Sequence, residues 1–388
     1  MKHAFLISLL FFSSCLGEED VINDLNSERE SYLQDRTFRR HELEASLWKP
    51  ALPYAQTRLN AYALDDAGWD LLPTMSTFTG KLSRPTQQEQ KKKNLLKSIP
   101  SNDKEWIELG KRVFWTMPMR RDPYLEWLVQ RPEHWEEVGL QSDDEGNLIG
   151  VARFTDARGE ERAGATCGFC HGESGEAGPA NRQLNLGLGR DLFNAGHGVT
   201  SHYADWGFGK VDVTDDGVQD ALKIPDLFRL ADAKYINSSA SVKVNSTTSL
   251  AIRFETQYIT GHAMEARPRR ELVWALARFV QTLKPLRKEM PKNDLFEQKC
   301  ASCHPISSGF GGLISADQLT SDNRSAHSQK RGTGFYKAPF LTDVSERAPY
   351  LHDASVDTLD TLLKEGHVVG DPLTASEQHE LLLFLEQL

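Results

Sequence analysis

Apolar residues fall at helical spacing along much of the chain after residue 101. The pattern begins at about Asp103 and returns at 268–283 and 374–388. The last of these segments starts with a capping box formed by Thr374 and Glu377. No alternation of polar and apolar residues is long enough to predict a strand, and glycine and proline are scattered between the helices. The pattern predicts an all-α fold whose helices are joined by long ordered loops, which in compact proteins usually surround a ligand or carry function.

The chain contains an internal repeat whose C-terminal part aligns without a gap. The first copy, GHAMEARPRRELVWALARFVQTL, spans 261–283, and the second, GHVVGDPLTASEQHELLLFLEQL, spans 366–388. His262 of the first copy matches His367 of the second, and each precedes a predicted terminal helix. We therefore expect these two histidines to have equivalent positions.

The repeat continues upstream of these segments. KIPDLFRLADAKYINSSASV (223–242) parallels KAPFLTDVSERAPYLHDASV (337–356) when shifts of one residue are allowed. One CxxCH sequence precedes each copy. The repeat predicts two versions of one domain, at 101–285 and 286–388.

The first fifteen residues are expected to direct export. Lys2, an apolar run from Ala4 to Phe12 and two serines precede Cys15, and the run is too short to span a bilayer. This arrangement resembles a bacterial signal peptide with a lipobox over residues 1–15. Because Leu16 rather than aspartate follows Cys15, we expect a lipoprotein on the periplasmic side, anchored to the outer membrane.

Composition limits the classes of partner. The 388 residues carry a net charge of -10, which argues against nucleic acid or an anionic membrane surface as the main partner. Contact with the membrane is expected only through the lipid anchor. Hydrophobic residues make up 39%, a slightly low share, so an apolar cofactor could supply part of the core. Residues 16–100 are dense in charge and are predicted to be an N-terminal extension and linker that acts as a tether with some helix.

Four of the five cysteines lie in two copies of one pattern, CGFCH and CASCH. Two thiols three positions apart at a helix start can each form a thioether with one haem vinyl group, and the adjacent histidine then faces the iron. The pattern predicts two covalently bound haem c groups with histidine as the proximal iron ligand. The predicted residues are Cys167, Cys170 and His171 for the first haem, and Cys300, Cys303 and His304 for the second.

Two CxxC pairs also fit one zinc site or two disulfides in an exported protein. Neither structure requires the histidine that follows each pair. The pairs also lie far apart in sequence, unlike those of a compact zinc ribbon. We therefore prefer the haem interpretation and keep zinc and disulfides as alternatives.

The residues around the second motif resemble a known family. DLFEQKCASCH (294–304), YKAPFLTDVSERAPYLHDASVDTLDTLL (336–363) and LTASEQHELLLFLEQL (373–388) are similar to the C-terminal half of bacterial di-haem cytochrome c peroxidases. Relatives of these proteins include di-haem rubber oxygenases and other exported cytochromes. WIELGKRVF (106–114) is similar to the opening helix of the family.

The resemblance is good over about 290–388 and patchy over 101–285. The family signature PYxHDGS is present with Ala354 in place of its glycine. The resemblance implies two tandem cytochrome c domains, all-α, with electron transfer between the haems. It leaves peroxidase activity open.

Several residues are candidates for the ligand on the far side of each iron. No methionine follows Met290, so the second haem is expected to take a histidine. The repeat favours His262 for the first haem and His367 for the second, which makes both irons bis-histidine. His352 is the rival at the second haem because the family signature places it near the cofactor, although the repeat puts Asn237 at its equivalent position. Further candidates are His327 and His379 for the second haem, and Met117, Met119, Met264, His197 and His202 for the first.

Two weaker patterns allow a structural explanation as well. DVTDDG (212–217) resembles the start of a calcium loop, but Lys223 stands where the closing glutamate is needed, so a solvated turn is preferred. Arg267, Arg269 and Arg270 could pair with haem propionates or face water.

These features predict an exported di-haem c-type cytochrome that passes electrons between redox partner proteins or small donors and acceptors. The alternative is a peroxidase-like or oxygenase-like oxidoreductase in which one of the two haems is catalytic. The ligation of each iron separates the two hypotheses, since an open iron permits chemistry and a closed one mainly carries electrons.

Overall fold

The structure is a computed structural model. It describes residues 18–62, 74–77, 95–144, 146–156, 160–212, 218–265, 267–284, 291–305, 312–367 and 372–388. The predicted signal peptide with Cys15, most of the linker and the candidate calcium loop after Asp212 lie outside the described residues. Within these ranges, no helix has the length and apolar character needed to cross a membrane.

Helices make up most of the regular structure and confirm the helical segments predicted from the sequence. The capping box at Thr374 is formed, with Thr374 and Glu377 bonded reciprocally. The helices are α1 Glu18–Gln34, α2 Arg36–Ala45, α3 Pro53–Ala61, α4 Asp103–Thr116, α5 Pro123–Leu128, α6 Trp135–Val138, α7 Cys167–Cys170, α8 Leu186–Gly196, α9 Thr247–Gly261, α10 Arg270–Thr282, α11 Asp294–Lys299, α12 Leu359–Glu365 and α13 Ala375–Leu385.

The prediction of an all-α fold is wrong, because the chain also forms antiparallel sheets. One sheet has three strands in the order β1–β2–β3, and four others are two-stranded pairs. The strands are β1 Thr74–Thr77, β2 Asn147–Thr155, β3 Glu161–Ala165, β4 Gly172–Glu173, β5 Glu176–Ala177, β6 Lys210–Val211, β7 Leu222–Lys223, β8 Tyr235–Ile236, β9 Val242–Lys243, β10 Leu313–Ser315 and β11 Phe335–Lys337. The fold is mixed, and two purely helical domains do not describe it.

The pattern of polar and apolar residues did not predict strand β2, because both faces of this strand are buried. Val151 and Ala152 are adjacent and point to opposite faces, and each is fully buried. A strand buried on both sides does not alternate between polar and apolar residues. The other missed strands are only two or three residues long, so that tertiary contacts rather than local sequence decide them.

The N-terminal helices belong to the largest buried cluster. Tyr32 of α1 and Leu43 of α2 are fully buried in the same cluster as Trp106 of α4 and Trp274 of α10. Tyr32 stacks on Trp274 with ring centroids 5.6 Å apart. The described part of the N-terminal extension is therefore packed against α4 and α10 and is not a free tether.

Two smaller clusters surround the CxxCH motifs. Phe169, inside the first motif, packs with residues of α5, β2 and β3. Phe296 of α11, just before the second motif, packs with Leu381 and Phe384 of α13. The first motif also reaches the largest cluster, because Cys167 is buried in it.

The two copies of the upstream repeat share several backbone features. Residues at equal separation in sequence share left-handed φ angles: Arg229 and Asp343, Asn237 and Leu351, and Ala240 and Ala354. The bridge between Ile236 and Val242 corresponds to that between Tyr350 and Val356. In this register Lys223 matches Lys337 without a gap, and Ser238 rather than Asn237 matches His352. The one-residue shifts allowed in the sequence alignment are not needed.

Candidate functional site

The first CxxCH motif forms the short helix α7, which is covered on two sides. A Cβ added at Gly150 of β2 would lie 2.3 Å from the backbone nitrogen of Phe169. A Cβ added at Gly168 would lie 2.2 Å from the ring of Trp115. Glycine at these two positions lets the sheet and Trp115 approach the motif closely.

His171 closes the first motif and is held by a backbone carbonyl. Its amide donates to the carbonyl of Cys167 at 2.9 Å. Its ring nitrogen Nδ1 donates to the carbonyl of Pro225, also at 2.9 Å. Burial lowers the pKa of His171, and the bond to Pro225 and the nearby Asp226 oppose this change.

The histidine of the second motif is held by the same two bonds. Its cysteines, however, follow the end of helix α11, whereas those of the first motif lie within α7. Helix α11 ends at Lys299, and the amide of His304 donates to the carbonyl of Cys300 at 2.9 Å. Nδ1 of His304 donates to the carbonyl of Pro339 at 3.0 Å. Burial, together with the neighbouring His367, lowers the pKa of His304 to about 4. The ring is therefore neutral at pH 7, and its Nε2 lone pair is available to a metal.

The motif cysteines are free thiols in the structure. Burial raises the pKa of Cys167 and Cys170 to about 12 and that of Cys300 to about 11. Catalytic and redox-active cysteines usually have lowered pKa values, and the pKa values of Cys167, Cys170 and Cys300 change in the opposite direction. Among the residues that the structure describes, no group of three or more His, Cys, Asp or Glu side chains is arranged to hold a metal ion by itself.

His367 lies opposite His304. Their ring centroids are 6.3 Å apart and the ring planes are inclined by 58°. His367 follows α12 through Gly366, whose φ of 71° turns the chain. Thr320 fixes this turn, since its amide donates to the carbonyl of His367 at 3.3 Å and its hydroxyl to that of Gly366 at 3.0 Å.

His262 has different surroundings, although the repeat matches it with His367. It caps the end of α9, and its side chain is almost fully buried. Its Nε2 lies 3.0 Å from the carbonyl of Pro118, and its ring meets Phe154 edge to face at 5.3 Å. Burial lowers the pKa of His262 to about 4. Its equivalence to His367 therefore extends to its place in the chain but not to the contacts of its ring.

His352 lies at the junction of the two upstream repeat segments. Its ring stacks on Tyr336 with centroids 4.0 Å apart, and its carbonyl accepts from the amide of Lys223 at 2.8 Å. Burial lowers the pKa of His352. The ring of His352 therefore contacts Tyr336 and the backbone of Asp322, while the ring of His367 contacts the motif histidine His304.

The other candidate ligands lie in several separate parts of the described chain. Met117 is fully buried in the largest core, and Met119 packs against that core. Nδ1 of His197 donates to the carbonyl of Phe193 at 2.7 Å. The remaining candidates are half-buried or exposed: Met264, His202, His327 and His379.

The basic cluster before α10 does not face water as a whole. Arg267 and Arg270 lie 3.5 Å and 3.4 Å from one carboxylate oxygen of Glu255, which is fully buried. Arg269 pairs with Glu271 at 2.8 Å. These contacts connect α9 and α10 within the core.

The sequence analysis missed Pro225 and Pro339 as hydrogen-bond acceptors. The signal was present, because the two prolines align in the upstream repeat, in KIPD and KAPF. Proline has no amide hydrogen, but its carbonyl remains a full acceptor.

No protein-family model matches this chain, and no curated protein matches it either.

Proposed function

We propose that the chain is an exported di-haem c-type cytochrome that transfers electrons through two covalently bound haems. The observation that carries this proposal is the shared bond of the motif histidines. His171 and His304 each donate Nδ1–H to the carbonyl of an equivalent proline. This bond keeps the proton on Nδ1 and leaves Nε2 free for iron, as is usual for histidine ligands of metals. Neither two disulfides nor a zinc site formed by the four cysteines alone gives a reason for the repeated bond.

The spacing of His304 and His367 also fits a haem iron. A single metal that lies between two imidazole rings, with metal–nitrogen bonds of about 2 Å, keeps the ring centroids about 6 Å apart. The observed 6.3 Å fits this separation. His304 and His367 would hold the second iron, and His171 the first, while the cysteines would hold the porphyrin edges. When bound, the haem supplies reversible one-electron transfer.

Intact-mass measurement after denaturation tests the proposal. The protein, produced in a host with cytochrome maturation machinery, should carry two haem additions. Replacing Cys167 and Cys170 by alanine should remove one addition, and replacing Cys300 and Cys303 should remove the other. Ser302→Ala, a change inside the second motif, should remove neither. A mass equal to that of the bare polypeptide would overturn the proposal.

A second candidate function is a peroxidase-like or oxygenase-like oxidoreductase. It is favoured by the difference between the two matched histidines. His367 faces the second motif, whereas Nε2 of His262 donates to the carbonyl of Pro118. His262 would have to give up this bond to hold the first iron through Nε2. A first iron without a strong sixth ligand would be open to peroxide or an organic substrate.

Spectra of the ferric protein distinguish the two candidates. Two low-spin haems favour electron transfer. One high-spin haem, together with consumption of hydrogen peroxide by the reduced protein, favours the oxidoreductase. Either function requires redox partners, which would be proteins or small electron donors and acceptors.

We also propose that the chain is exported and lipid-anchored at Cys15, on the periplasmic side of the outer membrane. The support is the order of residues before Cys15, with a basic start, a short apolar run and two small residues. Cys15→Ser should move the protein from the membrane fraction to the soluble fraction. An unchanged distribution would contradict the anchor.

A further inference from the structure

The two upstream repeat segments meet each other through reciprocal contacts. The amide of Lys223 donates to the carbonyl of His352 at 2.8 Å, and the amide of Lys337 donates to the carbonyl of Ser238 at 2.9 Å. Lys223 matches Lys337 in the repeat, and Ser238 matches His352. The prolines that accept from His171 and His304 therefore lie on two segments that are bonded to each other.

Arg347 connects the positions that follow these prolines. Asp226 follows Pro225, and Phe340 follows Pro339, so the two are equivalent in the repeat. Nε of Arg347 lies 3.3 Å from a carboxylate oxygen of Asp226, and its Nη1 donates to the carbonyl of Phe340 at 2.9 Å. The exposed fractions of the Arg347 and Asp226 side chains are only 13% and 9%. One guanidinium thus contacts both segments next to their histidine acceptors.

We propose that Arg347 and Asp226 are positioning residues that link the two motif histidines and set the reduction potentials of both haem sites together. The inference rests on the proposed di-haem function and adds to it the residues that couple its two sites. The path runs from His171 through Pro225 and Asp226 to Arg347, and from there through Phe340 and Pro339 to His304.

Two physical effects give the link its influence. The bond from Nδ1 to a carbonyl raises the basicity of a histidine ligand, so a shift of either proline changes the iron that its histidine holds. Charges that are shielded from water also act over longer distances than exposed ones. Removal of the Arg347 cation would favour the ferric state at both sites, and removal of the Asp226 anion would favour the ferrous state.

Redox titration of the full-length holoprotein, followed by absorption, tests the link. In Arg347→Gln both midpoint potentials should fall, and in Asp226→Asn both should rise. Arg347→Lys keeps the charge and should stay closer to the wild type than Arg347→Gln. Arg40→Gln is the control, because it removes an equal charge from an exposed pair with Glu44, and it should move neither potential.

The inference is overturned if only one midpoint potential responds, or if Arg347→Gln and Asp226→Asn shift the potentials in the same direction. Asp226→Asn has nearly the same shape as the wild type and decides the question if Arg347→Gln does not accumulate. Intact mass is measured on every variant. A wild-type protein whose mass shows no bound haem would overturn the proposed function. Two bound haems whose midpoint potentials do not change in the variants would overturn only the link.

Discussion

The imidazole of His367 faces that of His304, although 62 residues separate the two in sequence and no helix or strand contains either of them. Each ring is placed by backbone contacts at a turn. His304 is held through Pro339, and His367 through the turn at Gly366 that Thr320 fixes. The pair is the basis of the first prediction.

If the chain holds two haems as proposed, replacing His367 by alanine should convert one of them from low spin to high spin and leave the other unchanged, because the second iron would lose the ligand that His367 provides. The absorption and EPR spectra of the ferric protein check this. His379→Ala, an exposed change in α13, is the matched control and should leave both haems as they are. If His367→Ala stays low spin and His352→Ala becomes high spin, His352 is the ligand.

The contact between α4 and α10 depends on Gly110. A Cβ at this position would lie 2.0 Å from the carbonyl oxygen of Ala275 and 2.6 Å from Cβ of Phe279. We expect Gly110→Ala to lower the free energy of unfolding by about 1–3 kcal/mol, since the helices must move apart. Gly312→Ala is the control because its Cβ would meet no atom within 4 Å. Denaturant unfolding measures both, and equal stability of the two variants would contradict the prediction.

Glu255 of α9 connects that helix to the N-terminal helices. Its carboxylate accepts from the hydroxyl of Tyr32 at 3.1 Å and from that of Tyr62 at 3.0 Å. It also lies beside the buried Arg267 and Arg270. Burial, with Glu255 adding to it, raises the pKa of both tyrosines well above their usual range, so they remain donors.

Glu255→Gln should lower the free energy of unfolding by about 3–5 kcal/mol, because it removes a buried negative charge beside Arg267 and Arg270. Glu44→Gln, at an exposed pair with Arg40, should cost less than about 1 kcal/mol. Limited proteolysis gives a second readout, since the α1–α3 segment should be cleaved earlier in Glu255→Gln. A stable variant with unchanged cleavage would contradict this role.

Because of Lys337, the free energy of unfolding should change with pH in the alkaline range. Burial lowers its pKa from 10.5 to about 8. Between these values the unfolded chain binds more protons at this site than the folded chain, so the contribution of Lys337 to stability rises with pH from about 8 to 10.5. Below pH 8 its unfavourable effect is complete.

Lys337→Met should therefore be more stable than the wild type at pH 7, and its advantage should shrink towards pH 10. Unfolding by urea at several pH values measures the difference. Lys364→Met replaces a lysine that is 59% exposed and is the matched control. An advantage that grows with pH would contradict the predicted sign.

The sequence predicted the helices whose apolar residues keep one period, such as α4 and α13. It also predicted which segments would be equivalent, and the matched φ angles at Arg229 and Asp343 agree with that repeat. The hairpin of β2 and β3 was missed because β2 is buried on both faces. The burial of α1 and α2 was missed because polar residues dominate their sequences. Arg39 illustrates this, since it is buried while Nη1 donates to the carbonyl of Tyr32 at 2.7 Å.

The same contrast applies to the candidate site. The CxxCH spacing names the motif histidines without any structure, because the chemistry demands that spacing. The repeat alone gave His262 and His367 equal standing. Only the structure shows that the ring of His262 contacts the carbonyl of Pro118, whereas the ring of His367 contacts the imidazole of His304. The sequence did not predict the contact between Arg347 and Asp226, because the two residues lie 121 positions apart in the chain.

The reciprocal bonds of Lys223 and Lys337 have the form of an isologous contact, in which the same surface of two copies is used twice about a two-fold axis. Separate subunits joined in this way come apart on dilution. Here one chain carries both copies, so the second copy is present at the high effective concentration that a covalent connection provides. The junction can therefore be small and polar and still keep the two CxxCH segments together at any protein concentration.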